Sequence, residues 1–270
     1  MKYPYLILYF FLLFIVLSCN PVSSRHMTKI NFYPNKVIAH RGAWKAQGLP
    51  ENSLASLQHS ISMHCAGSEF DVHLTQDDSL VIHHDNSFHG LDIETNTYDV
   101  LKKISLHNGE SIPTLRDYLL KGIKNNGGTR LILEIKPSTI NLERGIRIAR
   151  KVFDMVSGLQ ASPWITYISF DLEILKTILA LDKKAHTQYL NGDLSPASLH
   201  ALGIHGVDYN YLVFKNHPEW IQEAKENKMV LNVWTVNTVP EMDYFLENKF
   251  DFITTNEPEL LVEKMKALKN

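Results

Sequence analysis

The order of apolar and amphipathic segments constrains this 270-residue chain more than any single residue does. From position 37 onward, short apolar runs alternate with segments of helical period. Principal strands are read at Val37–His40, Glu69–Leu74, Leu131–Ile135, Ile165–Phe170, Ala185–Leu190, Gly206–Tyr209, Met229–Trp234 and Phe252–Thr254. Helices are read at Ser53–His64, Thr114–Lys124, Leu142–Val156, Leu172–Leu181, Pro196–Leu202, Pro218–Asn227, Val239–Glu247 and Pro258–Leu268. A further strand-like run, Leu80–His83, opens a stretch to Lys103 where a single turn would serve. About 230 residues holding eight βα units predict an α/β chain, a TIM (β/α)8 barrel with a short insertion after the second strand. A doubly wound open sheet would more often need a Gly-rich phosphate loop after an early strand, and none is present.

The beginning of the chain follows a different pattern. Lys2 precedes an apolar run from Tyr5 to Leu17, then Ser18-Cys19. The run is too short for a good membrane-spanning helix, and residues 1–19 read as a lipoprotein-type signal peptide. Cys19 would then carry the lipid, and residues 20–35 would form a tether to a single domain over 36–270. This predicts an exported, membrane-anchored protein facing the periplasm or the cell surface. Only Cys65 remains in the mature chain, so it can form no intramolecular disulfide. The formal charge of −2 gives no reason to expect nucleic acid as a partner, because phosphate-backbone binders carry a basic excess. Nothing in the sequence fixes an oligomeric state.

In a TIM barrel the strand C-termini carry the chemistry. His40 and Arg41 end the first strand, and Gly42 breaks it. In Glu69-Phe70-Asp71-Val72 the two carboxylates share one face and the apolar residues the other. Glu134 and Lys136 share a face of an otherwise apolar strand. Three inward carboxylates repel one another and need a compensating cation, for which a hard metal with oxygen ligands is suited. Glu69, Asp71 and Glu134 are therefore candidate ligands of one divalent cation, Mg2+ or Ca2+. Arg41 and Lys136 nearby suit an anionic substrate, of which phosphate is the usual one. The pair His83-His84 supplies a second imidazole to complement His40, for taking and giving a proton near neutral pH. Alternation alone does not decide which of the pair points inward. Trp234 is read as pocket wall or barrel core, and Tyr209 and Phe214 likewise. His73 shares the acidic face but stands beyond the carboxylates, and is read as a surface residue or a support for the ligands.

Together these segments resemble the glycerophosphodiester phosphodiesterase family. His40-Arg41-Gly42 with Pro50-Glu51-Asn52-Ser53 resembles its opening motif, with Ser53 for the usual Thr. Glu69-Phe70-Asp71-Val72-His73-Leu74-Thr75, followed by Asp77, resembles its second motif. His84-Asp85, Glu134-Ile135-Lys136, Val233-Trp234-Thr235-Val236-Asn237 and Ile253-Thr254-Thr255-Asn256-Glu257-Pro258 resemble the rest, in the family's order. The resemblance implies catalytic His40 and His84, metal ligands Glu69, Asp71 and Glu134, and Arg41 and Lys136 on the phosphate. It places Trp234 against the substrate and Glu51 near the metal, as a ligand or a neighbour of the ligands. Two departures stand out. The insertion Asn86–Pro113 lacks an Arg-Thr segment common in relatives, and Thr255-Asn256 replaces a usual Thr-Asp pair. Neither is expected to touch the chemistry.

The activity implied is metal-dependent hydrolysis of a small glycerophosphodiester to glycerol 3-phosphate and an alcohol. Two other readings are weighed beside it. A phospholipase on the same barrel would need an apolar mouth, for which the insertion offers Phe88, Leu91 and Ile93. A lipoprotein that only binds phosphorylated head groups would not need both histidines and all three carboxylates.

Overall fold

The computed structural model describes residues 30–267. The proposed signal peptide, Cys19 and most of the proposed tether lie outside the described residues. No helix among the described residues is long and apolar enough to cross a membrane.

Eight parallel strands close into a ring. They are β1 (Val37–Ala39), β2 (Gly67–Leu74), β3 (Arg130–Ile135), β4 (Ile165–Ser169), β5 (Thr187–Tyr189), β6 (Gly206–Asn210), β7 (Val230–Trp234) and β8 (Phe252–Thr255). Each pairs with its neighbours in chain order, and β1 closes the ring by pairing with both β8 and β2. Around it lie α1 (Leu54–Ser62), α2 (Leu115–Ile123), α3 (Leu142–Gly158), α4 (Leu172–Leu181), α5 (Pro196–Ala201), α6 (Glu219–Glu226), α7 (Val239–Glu247) and α8 (Pro258–Ala267). The fold is the TIM barrel that the alternation predicted. Helix starts also follow the sequence: Ser53 caps α1 in a reciprocal box with Ser56, and Thr114 caps α2.

The strand period of two sorts side chains between two cores. Phe70, Val72, Leu133, Tyr167, Val207 and Val233 face outward to the helices in the main apolar cluster. Tyr209 and Phe214 belong to this cluster and are fully buried, so they are packing residues and no part of a pocket. The opposite faces fill the barrel. Ile38, Ile132, Ile168 and Leu190 form its apolar part, with Phe170, Trp234 and Phe252 packed against it.

The insertion is a built structure. Leu80–Ile82 runs antiparallel to β2 and continues the sheet outside the ring. A two-residue-per-strand hairpin and a short helix, Tyr98–Leu101, follow. Phe88 and Ile93 are buried in the insertion's own small core with Val81, Leu101 and Ile112. They offer no apolar rim to a membrane. Two carboxylates dock the insertion, the half-buried Glu110 and the buried Glu94. Glu110 accepts from the Leu54 and Ala55 N–H groups at the start of α1. Glu94 accepts from the Thr139 N–H and hydroxyl and pairs with Arg144, which donates to the Leu74 and Thr75 carbonyls. Glu94 thereby fixes the loop that leaves β3 just after Lys136.

The chain enters from the opposite end of the barrel. Phe32 lies edge-on to Trp164 and under the Arg130 guanidinium, and the Tyr33 N–H donates to the Gly128 carbonyl at 3.0 Å. Arg130 begins β3, so residues 30–35 pack across the N-terminal ends of the strands.

Candidate functional site

The turn after β1 sets the first wall. Its backbone is left-handed at Arg41 (φ 55°) and Gly42 (φ 81°). A Cβ on Gly42 would stand 2.4 Å from the Ser56 hydroxyl, so both conformation and space require glycine. The reversal aims the Arg41 N–H at Glu69, whose Oε2 accepts it at 2.8 Å. The Arg41 guanidinium meets both oxygens of Glu51 at 3.0 Å, while its buried Nε has no partner among the described residues. Glu51 is thus placed as the residue that holds Arg41. It is not among the carboxylates that converge on one point.

Glu69, Asp71 and Glu134 do converge: ligand atoms from all three lie within 4.8 Å of one another, and all three residues are buried. The β2–β3 register sets Asp71 directly beside Glu134. Asn52 clamps Asp71, donating to its Oδ2 at 2.8 Å and accepting from its N–H at 3.2 Å. Lys136 Nζ lies 2.9 Å from Asp71 Oδ1 and 2.8 Å from Glu134 Oε1. Glu69 Oε1 has no partner among the described residues.

The electrostatics report a deficit of positive charge. Burial drives Glu69 far above the usual carboxylate range, and Asp71 and Glu134 push it further. Burial and Asp71 raise Glu134 to about 8 against the pull of Lys136. Burial acts upward on Asp71 too, but Lys136 and the Asn52 bond outweigh it and hold the carboxyl below its ordinary range. Lys136, which burial alone would lower, is held high by Asp71 and Glu134. One ammonium therefore neutralises about one carboxylate, and the other two keep protons unless another cation replaces them. An uncompensated buried ion costs several kcal/mol. The orphaned Glu69 oxygen and the all-oxygen donor set fit a hard divalent cation.

Two imidazoles face the triad. His40 Nδ1 donates to Asn256 Oδ1 at 2.7 Å, which leaves the Nε2 lone pair free, 4.0 Å from Glu69 Oε2. Burial, with Arg41 beside it, lowers His40 to about 4. His84 Nδ1 pairs with Asp85 Oδ1 at 2.7 Å. His83 turns away and bonds the Ser87 carbonyl, so His84 is the inward member of the pair. His73 is buried, and its Nε2 bonds the His84 carbonyl at 3.2 Å. It supports the backbone of the second imidazole.

A cavity of about 90 Å³ joins these groups. Of the residues singled out in the sequence, His40, Arg41, Glu69, His84, Glu134 and Trp234 line it, and Asp71 and Lys136 do not. Lys136 lines an adjoining open groove of about 420 Å³, which shares His84, Glu134 and Phe170 with the cavity. Trp234 is fixed by a bond from its Nε1 to the Asp208 carbonyl and by an edge contact with Phe170.

Three residues were overlooked by sequence reasoning. Asn256 was set aside as remote from the chemistry, yet it holds His40 directly. Its placement depends on β8 pairing with β1 across the ring closure, a contact no local pattern shows. Asn52 was read only as motif or cap. Asp208 stands on the inward parity of β6, and the alternation of Gly206, Asp208 and Asn210 was a usable signal.

Comparison with known proteins agrees with this geometry. A model of the glycerophosphoryl diester phosphodiesterase family matches residues 40–260. A crystal structure of a glycerophosphodiester phosphodiesterase from Parabacteroides distasonis superposes with a TM-score of 0.85 at 41% identity, covering 89% of this chain and 100% of that one. A glycerophosphodiester phosphodiesterase of Caldanaerobacter subterraneus is 29% identical over 244 residues, covering 84% of this chain and 96% of the relative. An Oleispira antarctica phosphodiesterase, solved in complex with the product sn-glycerol-3-phosphate, shares the fold with a TM-score of 0.71 at 21% identity, covering 87% and 97%. The chain belongs to the glycerophosphoryl diester phosphodiesterase family.

Proposed function

We propose that this protein hydrolyses a glycerophosphodiester to glycerol 3-phosphate and an alcohol, using one divalent cation, Mg2+ or Ca2+, and a pair of histidines. The observation that carries the reading is the convergence on one cavity of two imidazoles, the carboxylates of Glu69 and Glu134 with Asp71 packed beside them, and Arg41 with its unpartnered Nε. Glu69, Asp71 and Glu134 would hold the cation. When bound, it would polarise a phosphoryl oxygen as a Lewis acid. Arg41 Nε and Lys136 Nζ stabilise charge on the remaining phosphoryl oxygens.

The two imidazoles have different surroundings. His40 lines the narrow cavity, has a neutral amide as partner and presents a free Nε2. It accepts the proton of the attacking hydroxyl as the new P–O bond forms. His84 borders both cavity and groove and has a carboxylate partner. It gives its proton to the alkoxide as the old P–O bond breaks, and the alcohol departs along the groove.

A soluble diester suits this barrel better than an intact membrane lipid. Residues 30–35 join the barrel at the end opposite the cavity, so they add no apolar surface to its mouth. Phe88 and Ile93 of the insertion are also buried, and Leu91 packs half-buried against them.

The test is hydrolysis of glycerophosphocholine against phosphatidylcholine vesicles, with and without chelator. Turnover of the soluble diester alone, abolished by chelator, is expected. His40→Ala and His84→Ala should each lower kcat by roughly 10²–10⁴-fold. Full activity of either variant overturns the mechanism. Binding without turnover by metal-loaded protein would instead favour a head-group receptor.

A further inference from the structure

The cavity wall across from the carboxylate triad holds one polar group that the chemistry above leaves without a task. Asp208 is 1% exposed and its Oδ1 has no hydrogen-bond partner among the described residues. Its flanks are apolar: Ile168, Phe170, Leu190 and Trp234 line the same wall. Asn232, its register partner on β7, supports the carboxyl from one side. Among the described residues no cation pairs with it, and the Lys136 ammonium and the Arg41 guanidinium are both engaged with other carboxylates.

An open carboxyl oxygen in such a wall selects among ligand groups. When ionised it repels a phosphoryl oxygen. It leaves an alkyl group facing an unmet polar atom, which is penalised. It bonds a neutral hydroxyl well, because a carboxyl accepts from O–H when ionised and can also donate to it when protonated. Burial and the nearby Glu134 favour the protonated form, and a hydroxyl meets either form. The cavity, at about 90 Å³, has room for a small polar fragment and not for a bulky or long-chain group. That matches a three-carbon polyol fragment whose phosphate lies toward Arg41.

We propose that Asp208 is a specificity-determining residue, which hydrogen-bonds a free hydroxyl on the polyol side of the substrate and rejects diesters lacking one. The proposal rests on the functional reading above. It adds the residue that tells the two ester arms apart: the polyol arm enters the narrow cavity against Asp208, and the other arm lies in the wider groove beyond His84. Sites that hydrogen-bond a substrate hydroxyl discriminate far more strongly than apolar pockets do.

The experiment measures binding to metal-loaded full-length protein by calorimetry. The probes are sn-glycerol 3-phosphate and propyl phosphate, which has the same three carbons and no free hydroxyl. Wild type should prefer the glycerol ester by at least about tenfold, and Asp208→Leu should bring the two within about threefold, as expected for loss of a hydroxyl-reading group. A wild-type protein without the preference overturns the proposal, whether or not the variant folds. So does an Asp208→Leu protein that keeps the preference. A variant that weakens both probes equally and also loses affinity for Mg2+ or Ca2+ in a metal titration would make Asp208 a metal ligand, and overturns it too. Turnover of glycerophosphocholine is measured in parallel. Preference without turnover would sink the hydrolytic reading and leave hydroxyl recognition standing; turnover without preference would do the reverse.

Discussion

The two halves of the barrel interior are built from different chemistry. On β1 to β3 the inward positions carry His40, Glu69, Asp71, Glu134 and Lys136, a cluster of charge held by ion pairs and buried hydrogen bonds. On β4 to β7 they carry Ile168, Phe170, Leu190 and Trp234, an apolar wall interrupted by Asp208 and Asn232. On the proposed function the first half serves reaction and the second recognition. A TIM barrel allows the division because each strand end contributes independently to one mouth.

The largest expected effect separates the halves. Glu134→Gln removes one carboxylate charge from the triad and leaves the Lys136 ammonium beside Asp71. Steady-state kinetics should show kcat reduced by at least about 10²-fold, with weaker dependence on added metal. Trp234→Ala cuts into the wall, and should raise KM by about tenfold with a smaller change in kcat, as loss of uniform binding does. If Trp234→Ala lowers kcat as much as Glu134→Gln does, the division into a reacting and a recognising half is wrong.

The same division explains which parts were legible from sequence. Carboxylates alternating with apolar residues on a strand are conspicuous, so Glu69, Asp71, Glu134 and Lys136 were assigned before any geometry was known. Apolar inward residues resemble apolar outward ones. Tyr209 and Trp234 were weighed alike, yet one-residue differences in parity put the first among the helices and the second in the cavity. The barrel itself was legible because eight repeats average out local errors. The short strand at Leu80–Ile82 was seen, but its antiparallel pairing outside the ring was not, since pairing direction has no local signal. Asn256 escaped notice for a related reason. Its partner His40 is 216 positions away in sequence.

A medium effect should appear in stability without metal. Glu69 and Glu134 have folded-state values raised above those of an unfolded chain, Glu134 to about 8. The folded protein thus binds more protons than the unfolded one above the ordinary carboxylate range, and stability falls as pH rises toward 8. His40 and His73, each lowered to about 4, act oppositely, and their loss of stability sets in as pH drops below the ordinary histidine value of 6.5. Between pH 6.5 and 8 the carboxylates dominate. Thermal melts of metal-free protein should give a higher Tm at pH 6.5 than at pH 8. Saturating divalent cation should reverse that order, because metal and protons compete for the same oxygens. A flat metal-free profile would mean that the triad is not short of positive charge. Wild type and Glu134→Gln, melted side by side, assign the slope to this half of the barrel.

The smallest effect tests how the ring closure serves the reacting half. Asn256 Oδ1 accepts from the His40 Nδ1–H at 2.7 Å, and this fixes the tautomer that frees Nε2. Asn256→Asp keeps the size and the acceptor but adds a negative charge at hydrogen-bond distance. That charge favours the imidazolium, so the folded value of His40 rises from about 4. An opposite charge this close shifts a group by about 1–3 units. As the proton acceptor, His40 must be neutral, and the acid limb of kcat/KM should therefore move toward neutral pH by a similar interval. Activity at pH 5 falls, while activity at pH 8 changes by less than about tenfold. A His40 that donated the proton would instead carry the alkaline limb, and that limb would move upward. Which limb moves assigns the role of His40, and a profile that does not move removes Asn256 from the machinery altogether.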